Sequence, residues 1–449
     1  MSNSAEELES FQRRHRVPSS VKYALLLMKD SVVRVFEDMN YKYEFPPADV
    51  ASGPTDPDLT IEDMATKGEI LRKLQSSLLP AIKEHVTSLL KSVEELEEEY
   101  PHPDVDLTLG ISSDLDQTLM TTVSSTLTMT DGSPLPDGKH DHCLDKLKSF
   151  RCSQLRIKMD WIVSFVAESL LECYSTFMQS CAVAMMVTDP AWAWNQASKS
   201  RQDIHVLTAH VIDSIDDTIA WSLGSDWAIV RGDWLMALGE INFLLEHLMQ
   251  HANPSLELTP DLARLTISST EDADPSDHTY VETPRKAAME RTSEVANSTI
   301  PLVKLARILV TKLLRMIPKK RKSEPDPGIN SETLELFHDA FESIIRPLRD
   351  VMSSVQHIQW RSQATLDIDF RDCMLDLLNK LKNTLATTST IVAPRLMPLL
   401  HGAEHASPAS DFKAWSLTLE GPWDIVVDRL LNLVSSFKVE PQQQLAQEE

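Results

Sequence analysis

The sequence predicts an all-α protein made of two packed bundles of long amphipathic helices. Apolar residues recur every three or four positions along most of the 449 residues, which is the spacing of one helical face. Strand-like alternation of any length is missing from the sequence. Because 449 residues exceed the roughly 250 to 300 that a single hydrophobic core usually serves, we expect two bundles rather than one.

The two bundles are expected to be flanked by polar termini, and an acidic loop is expected within the second bundle. Residues 17–187 are predicted to form the N-terminal bundle and residues 188–437 the C-terminal one. Residues 1–16 and 438–449 are polar, so disordered termini are expected there. Residues 253–283 are acidic and contain several prolines, a composition typical of a mobile surface loop.

In the first bundle, apolar stripes predict helices at 17–43, 60–99, 105–129 and 140–187. Pro80 lies inside the second of these, and its ring is expected to kink or divide that helix. The last helix is strongly apolar towards its end, which indicates burial on more than one side. We therefore expect it at the centre of the bundle.

The stretch from Ile204 to Ala252 is predicted to be the seam on which the other helices dock. It carries two apolar stripes separated by Gly224-Ser225-Asp226, a glycine followed by two side chains that can cap a helix, so a helical hairpin is expected. Tryptophans are concentrated there and can bury large areas. The residues expected in the core are Trp221, Trp227, Trp234, Leu238, Ile241 and Leu245.

Further helices are predicted at 284–316, 330–360, 366–392 and 411–437. Two interpretations of Thr283 stay open at the start of the first of these. It can cap the helix, with proline at the first helical position, or it can be a proline-directed phosphorylation site followed by a basic residue.

Composition and missing motifs exclude several functions. Eleven glycines, none of them arranged as G-x-G, rule out the dinucleotide fingerprint and the P-loop, and no G-x-S-x-G elbow is present. We therefore predict no catalytic residue and no cofactor, and expect a protein that is not an enzyme. The five cysteines are an odd number and form no C-x-x-C pair, and the N-terminus is polar, so we expect an intracellular protein. The sequence also has no apolar run long enough to predict a membrane span.

Charge is distributed unevenly along the chain. The net charge of -24 argues against nucleic-acid binding by the whole surface, yet residues 285–322 hold eleven Lys and Arg against two Glu. A basic run after Pro318 resembles a nuclear-import signal, and phosphorylation of the adjacent Ser323 would weaken it. The alternative is a helix end stabilised by cations. The candidate import residues are Lys319, Lys320, Arg321 and Lys322.

Several histidines stand at spacings found among metal ligands. None of these patterns brings a full ligand set on a stable helix, so no metal site is predicted and surface histidines are the preferred interpretation. The patterns are His247 with His251, Glu335 with His338, His401 with Glu404 and His405, and the run from His140 to Cys143.

Three segments carry a resemblance to a known family: SSLLPAIK at Ser76–Lys83, SDLDQTL at Ser113–Leu119 and SIDDTIAWSLGSDWAIVRGDW at Ser214–Trp234. In this order they resemble a large uncharacterised family of helical proteins in basidiomycete fungi, and the resemblance covers most of the chain. More remotely, the architecture is similar to that of the cyclin-D-interacting helical proteins, which act through protein contacts. Neither resemblance implies catalytic residues.

These observations favour a non-enzymatic interaction or regulatory scaffold that binds other proteins through helical grooves. Two alternatives stay open: a nuclear factor that contacts nucleic acid through residues 285–322, and a helical protein that binds metal through its histidine pairs. The expected localisation is the cytoplasm, the nucleus or both.

Overall fold

The protein is all-α, as the sequence predicts. Strand structure in the described ranges consists of one two-residue parallel ladder, in which β1, Thr55–Asp56, pairs with β2, Leu135–Pro136. In the same ranges, no helix has both the length and the apolar character needed to cross a membrane. The computed structural model describes residues 31–47, 54–94, 104–187, 191–253, 278–317, 328–361, 368–401 and 407–437.

The chain divides into two compact units, Met1–Gly224 and Ser225–Glu449. The division falls after Gly224 and not after residue 187, where the sequence suggested it. The reason is the helix at Ala191–Leu223, whose residues Ile204 and Ile215 are fully buried in the hydrophobic core of the first unit. This helix belongs to the N-terminal bundle.

The first unit contains seven helices in its described ranges. Two π-helical turns, Leu74–Leu78 and Phe165–Leu170, join successive helices end to end, and two 3-10 turns, Asp141–Cys143 and Asp145–Leu147, precede the fifth helix. The helices are α1, described over 31–40, α2 (Ala65–Lys73), α3 (Leu79–Glu94), α4 (Val105–Thr130), α5 (Ser149–Ser164), α6 (Leu171–Met186) and α7 (Ala191–Leu223).

The helix predicted to be kinked or divided at Pro80 is interrupted just before it, by the π-helical turn Leu74–Leu78. Proline cannot donate a hydrogen bond to the carbonyl four residues earlier, and its ring crowds that carbonyl. The wider π-helical turn Leu74–Leu78 lies immediately before it and accommodates the ring, while Pro80 itself is exposed. Helices α2 and α3 therefore continue through the turn with Leu74 and Ile82 buried.

The core of the first unit lies around α5 and α6. Helix α5 contacts α4 and α7, α6 packs along α7, and α3 packs against both α4 and α7. Large aromatic side chains fill the centre, among them Phe36 and Tyr174, whose ring centroids are 5.9 Å apart. The segment predicted to be central is therefore surrounded by helices, although its continuous helical part begins only at Ser149.

The described helices of the second unit are organised around its long helix α9. Helix α9 contacts α8, α10 and α12, and α11 packs against α10 and α12. Trp423 is buried and its Nε1 donates a hydrogen bond to the carbonyl of Leu381, 2.9 Å away, which fastens α12 to α11. The helices are α8 (Asp226–Ala252), α9 (His278–Met316), α10 (Ser331–Arg361), α11 (Ile368–His401) and α12 (Ser407–Ser435).

The start of α9 differs from the prediction. The helix begins at His278, so Thr283 and Pro284 lie inside its first turns and Thr283 is not the N-cap. Part of the predicted loop at 253–283 is therefore helical. Residues 254–277 lie outside the described residues.

The predicted hairpin does not form a single core seam. Ser225 caps α8 as expected, because its hydroxyl accepts the backbone N–H of Ala228 at 3.2 Å. However, α7 buries its stripe against helices of the first unit, and α8 buries its stripe against α9 and α10 of the second. Hydrophobic periodicity shows which face of a helix is buried and leaves open which helix covers it.

Candidate functional site

Several predicted site residues lie outside the described residues. They are the import candidates Lys319, Lys320, Arg321 and Lys322 and the phosphorylation candidate Ser323. Thr283 lies in α9, in a stretch where the side chains are not described. The import and phosphorylation hypotheses therefore stay predictions.

The predicted core residues divide into two groups. Trp227, Trp234 and Ile241 are buried in the second unit. Leu238 and Leu245 on the same helix are only half-buried, as is Trp221 in the first unit. Ala237 and Leu244, which directly precede Leu238 and Leu245 in the sequence, are buried in their place.

Trp221 is half-buried against the core of the first unit, and its ring is also close to two cations. The guanidinium carbon of Arg151 lies 5.7 Å from its ring centroid, and the Nζ of Lys158 lies 5.3 Å away. Arg151 also donates to the carbonyls of Ser222 and Gly224 at 2.9 and 3.0 Å. These bonds satisfy carbonyls at the end of α7, where the helix dipole favours positive charge.

The histidine pairs do not converge into ligand sets. His247 Nδ1 lies 3.0 Å from the backbone carbonyl of Phe243, one turn earlier on the same helix. Glu335 is exposed, whereas the half-buried His338 places its Nδ1 3.2 Å from Asp233 Oδ2. This hydrogen bond raises the pKa of His338, against the opposing effect of burial.

The remaining histidine patterns have local roles or lie outside the described part. His140 Nδ1 is 2.7 Å from Asp137 Oδ2 at the surface. Asp141 is buried, and its carboxylate accepts the backbone N–H of Ser149 at 2.8 Å, so it caps α5. Glu404 and His405 are not described. In the described ranges, no group of three or more His, Cys, Asp or Glu side chains could hold a metal ion.

Helix α8 carries large apolar side chains on the face opposite its buried one. Leu235, Met236, Phe243 and Met249 are 47, 61, 58 and 52% exposed. On the same face, no described atom lies within 4 Å of the position that a Cβ would take at Gly239. A helix that is apolar on opposite faces is usually covered on both. We name this outward face, Leu235 to Met249, the α8 apolar face.

Helix α9 has a basic face. Lys304, Arg307, Lys312 and Arg315 are all exposed, and the helix contains no Asp or Glu from residue 295 to residue 316. The Nζ of Lys312 lies 5.7 Å from the ring centroid of Trp415 on α12. This face lies within the described part of the basic segment 285–322.

The first unit also contains a cavity of about 390 Å³. One side is a face of α5, and the other is formed by the β1–β2 ladder, the end of α4 and the chain after α1. The floor includes Lys67 from the first turn of α2. The cavity therefore lies where five separate segments of the first unit meet.

Both charged and apolar side chains line the cavity. The Nη1 of Arg156 lies 2.5 Å from Asp131 Oδ1, and its Nη2 donates to the carbonyl of Pro46. Lys67 is only 5% exposed, and burial lowers the pKa of its ammonium group, partly offset by Cys152 and Asp131. Burial raises the pKa of the Cys152 thiol to about 11, so the thiol is protonated at neutral pH.

Sequence reasoning missed this cavity, although one signal pointed to it. Lys67 stands four and seven residues before Leu71 and Leu74, which are buried on the apolar stripe of α2 and its π-helical turn. A lysine in the register of a buried stripe is unusual, because lysine is almost never fully buried without a partner. The contribution of the β1–β2 ladder had no sequence signal.

Together, these features define an all-helical protein of two compact units. Two family models match the chain: Domain of unknown function (DUF8723) over residues 67–223 and Domain of unknown function (DUF8721) over residues 225–432. The border between the matches coincides with the division after Gly224. The two matches cover most of the chain, in agreement with a resemblance to an uncharacterised family. No curated protein and no solved structure matches the chain.

Proposed function

We propose that this protein is a non-enzymatic interaction protein that binds a partner helix on the α8 apolar face. The observation that carries the proposal is the exposure of four large apolar side chains on one face of a helix whose opposite face is already buried. Contiguous exposed apolar surface of this kind is typical of protein interaction sites. A helix laid along such a face uses apolar anchors at spacings of three and four.

The face also limits the chemistry of the partner. Gly239 leaves open space in the middle of the face, which lets a second backbone approach closely. Glu246 is exposed between Phe243 and Met249, and the whole chain carries a net charge of -24. We therefore propose an amphipathic partner helix that presents a Lys or Arg towards Glu246.

Site-specific photo-crosslinking tests this proposal. With p-benzoylphenylalanine at Met236, we expect a cross-linked peptide from another protein whose apolar residues recur every three or four positions beside basic residues. The same photo-reactive residue at Ile425, which is 70% exposed on α12, is the matched control and should not capture that peptide.

Charge reversal on the apolar face gives an independent readout. Met236→Glu with Phe243→Glu should abolish the cross-link at a neighbouring position, such as Leu235, while the melting temperature stays unchanged because both side chains are exposed. A cross-link to this chain itself, or a capture that survives the charge reversal, would contradict a partner helix at this face.

Two further aspects of the proposal concern ancestry and location. We infer from the three quoted segments that the chain is related to helical proteins of basidiomycete fungi, and more remotely to the cyclin-D-interacting proteins.

We also propose that Lys319 to Lys322 direct the protein to the nucleus. Replacing Lys320 and Arg321 by alanine in a fluorescent fusion should then shift the signal to the cytoplasm, and an unchanged distribution would refute the role of this run.

A second candidate function is supported by the basic face of α9. Lys304, Arg307, Lys312 and Arg315 could neutralise phosphates, since neighbouring residues 295–316 contribute no carboxylate. Binding of a DNA duplex through four such contacts should weaken steeply with salt, with a logarithmic slope of roughly -3 to -4. A flat salt dependence, or no binding at low salt, would exclude this function.

A further inference from the structure

The cavity of the first unit is lined by a buried lysine to which the described residues offer no hydrogen-bond acceptor. Lys67 is 5% exposed and lines the cavity, and no described residue makes a hydrogen bond or an ion pair with its Nζ. An ammonium group that leaves bulk water is stabilised when hydrogen-bond acceptors replace the water around it. The position is therefore suited to a ligand that supplies the missing acceptor.

A second cation in the same cavity has spare donors. Arg156 donates from Nη1 to both carboxylate oxygens of Asp131 and from Nη2 to the carbonyl of Pro46, which uses at most three of the five N–H donors of its guanidinium group. The hydroxyl groups of Ser149 and Ser153 on α5 also line the cavity. An anionic group near Lys67 would thus find several donors, which is the pattern of a carboxylate or phosphate site.

The rest of the lining favours an organic ligand with a single negative charge. Phe45, Met129, Leu135 and Ile157 form apolar walls, and about 390 Å³ lies within the size range of small-molecule sites. Asp131 and Asp160 offset the charges of the two cations, so a dianion would bring twice the excess negative charge of a monoanion into a partly enclosed space. A carboxylate with an aliphatic or aromatic body fits both conditions.

We propose that this cavity binds a small organic monocarboxylate, with Lys67 and Arg156 donating to the carboxylate and the apolar walls holding its body. The proposal is independent of the partner helix, because the cavity lies wholly in the first unit and the α8 apolar face in the second. Cys152 plays no covalent part, because its thiol is protonated at neutral pH.

Calorimetric titration of the full chain with hexanoate and with benzoate tests the proposal. At least one of the two acids should bind, and the matching alcohol, hexanol or benzyl alcohol, should bind at least about tenfold more weakly, because it keeps the body and loses the charge. Inorganic phosphate should bind more weakly than the acid. These comparisons use the unmodified protein and depend on no variant.

The variant Lys67→Met removes the ammonium group at nearly constant volume. It should weaken binding of the acid by about tenfold or more and leave the melting temperature unchanged or raised, because an unpaired buried charge has been removed. Lys83→Met is the matched control, since Lys83 pairs with Asp216 at the surface outside the cavity, and should bind like the parent.

Four results would overturn the proposal. These are the binding of neither acid, equal binding of acid and alcohol, tighter binding of phosphate than of either acid, and unchanged affinity in Lys67→Met. A large fall in the melting temperature of Lys67→Met would also count against it, since that result would mean that the ammonium group already stabilises the fold.

Discussion

Three of the buried cations of the first unit differ in how they are paired. Arg151 donates to carbonyls at the end of α7, and Arg156 pairs with Asp131. Lys67 lines the cavity, and no described residue pairs with it. Because a buried charge costs stability unless it is paired, Arg151 and Arg156 have structural roles, whereas the proposed carboxylate would supply the acceptor that the described residues do not give to Lys67.

Trp234 and Trp423 are the largest fully buried side chains described in the second unit. Trp234→Ala should lower the free energy of unfolding by about 3 to 5 kcal/mol, the range for emptying a large aromatic site in a core. Urea titration followed by circular dichroism measures the change. Trp192→Ala is the control, because Trp192 is 60% exposed and its removal should change stability little. An equally small effect at Trp234 would refute its core role.

His338 should make stability depend on pH. Its hydrogen bond to Asp233 raises its pKa above the ordinary value of 6.5, so the protonated form is favoured in the folded state. The resulting stabilisation is fully present below pH 6.5 and is lost as the pH rises through the higher folded pKa. His338→Gln should therefore destabilise the protein more at pH 5.5 than at pH 8.5, as urea titrations at the two pH values would show.

The partner of His338 provides the check. Asp233→Asn removes the carboxylate that pairs with His338 at 3.2 Å. Like His338→Gln, it should therefore destabilise the protein more at pH 5.5 than at pH 8.5. A pH dependence that is unchanged in both variants would mean that other groups dominate this range.

At the scale of helices, proline is tolerated inside them when the carbonyl that it frees can be satisfied in another way. Pro80 follows a π-helical turn and is exposed, and Pro422 is exposed inside α12. Water can bond to the freed carbonyl on a solvent-facing side, so the helix continues. A sequence pattern that treats proline as a helix boundary therefore makes helices too short, as it did when Pro284 was placed at the start of α9, which begins at His278.

The end of α7 is held by side chains from the segment that begins α5. Arg151→Met would remove two charged hydrogen bonds, to Ser222 and Gly224, and the contact with the Trp221 ring. We expect the first unit to lose about 2 to 4 kcal/mol of stability, because charged hydrogen bonds contribute roughly 1.5 to 3 kcal/mol each and are not additive. Urea titration followed by circular dichroism measures this loss.

The variant Lys158→Met separates the contribution of a cation beside the Trp221 ring from that of the hydrogen bonds of Arg151. Lys158 contacts the same ring at 5.3 Å, so its loss should cost only about 1 kcal/mol. Equal effects of the two variants would mean that the hydrogen bonds of Arg151 to the helix end contribute nothing measurable.

At the scale of the whole molecule, the fold class and most helix positions followed from apolar periodicity, whereas the assembly of the helices did not. The predicted helix at 105–129 is observed at Val105–Thr130, because an uninterrupted stripe after Asp104 marks it clearly. The assignment of α7 to the first unit could not be predicted, since Ile204 and Ile215 would look the same in either bundle. The cavity depends on contacts between segments far apart in sequence, such as Arg156 with Pro46.

The division after Gly224 makes a prediction about fragments. A fragment of residues 1–224 and one of residues 225–449 should each keep helical structure, because each unit has its own hydrophobic core. The circular dichroism of the two fragments should then add up to that of the whole chain, and each should unfold cooperatively on heating.

A cut after residue 187 provides the decisive contrast. It would strip α7 from the first unit and expose the surfaces of α3 and α6 that Ile204, Val211 and Ile215 cover in the whole chain. The fragment 1–187 should therefore lose helicity and bind a hydrophobic dye, whereas the fragment 1–224 should not. If the shorter fragment folds and the longer one does not, α7 belongs to the second unit. The boundary suggested by the sequence would then replace the boundary after Gly224.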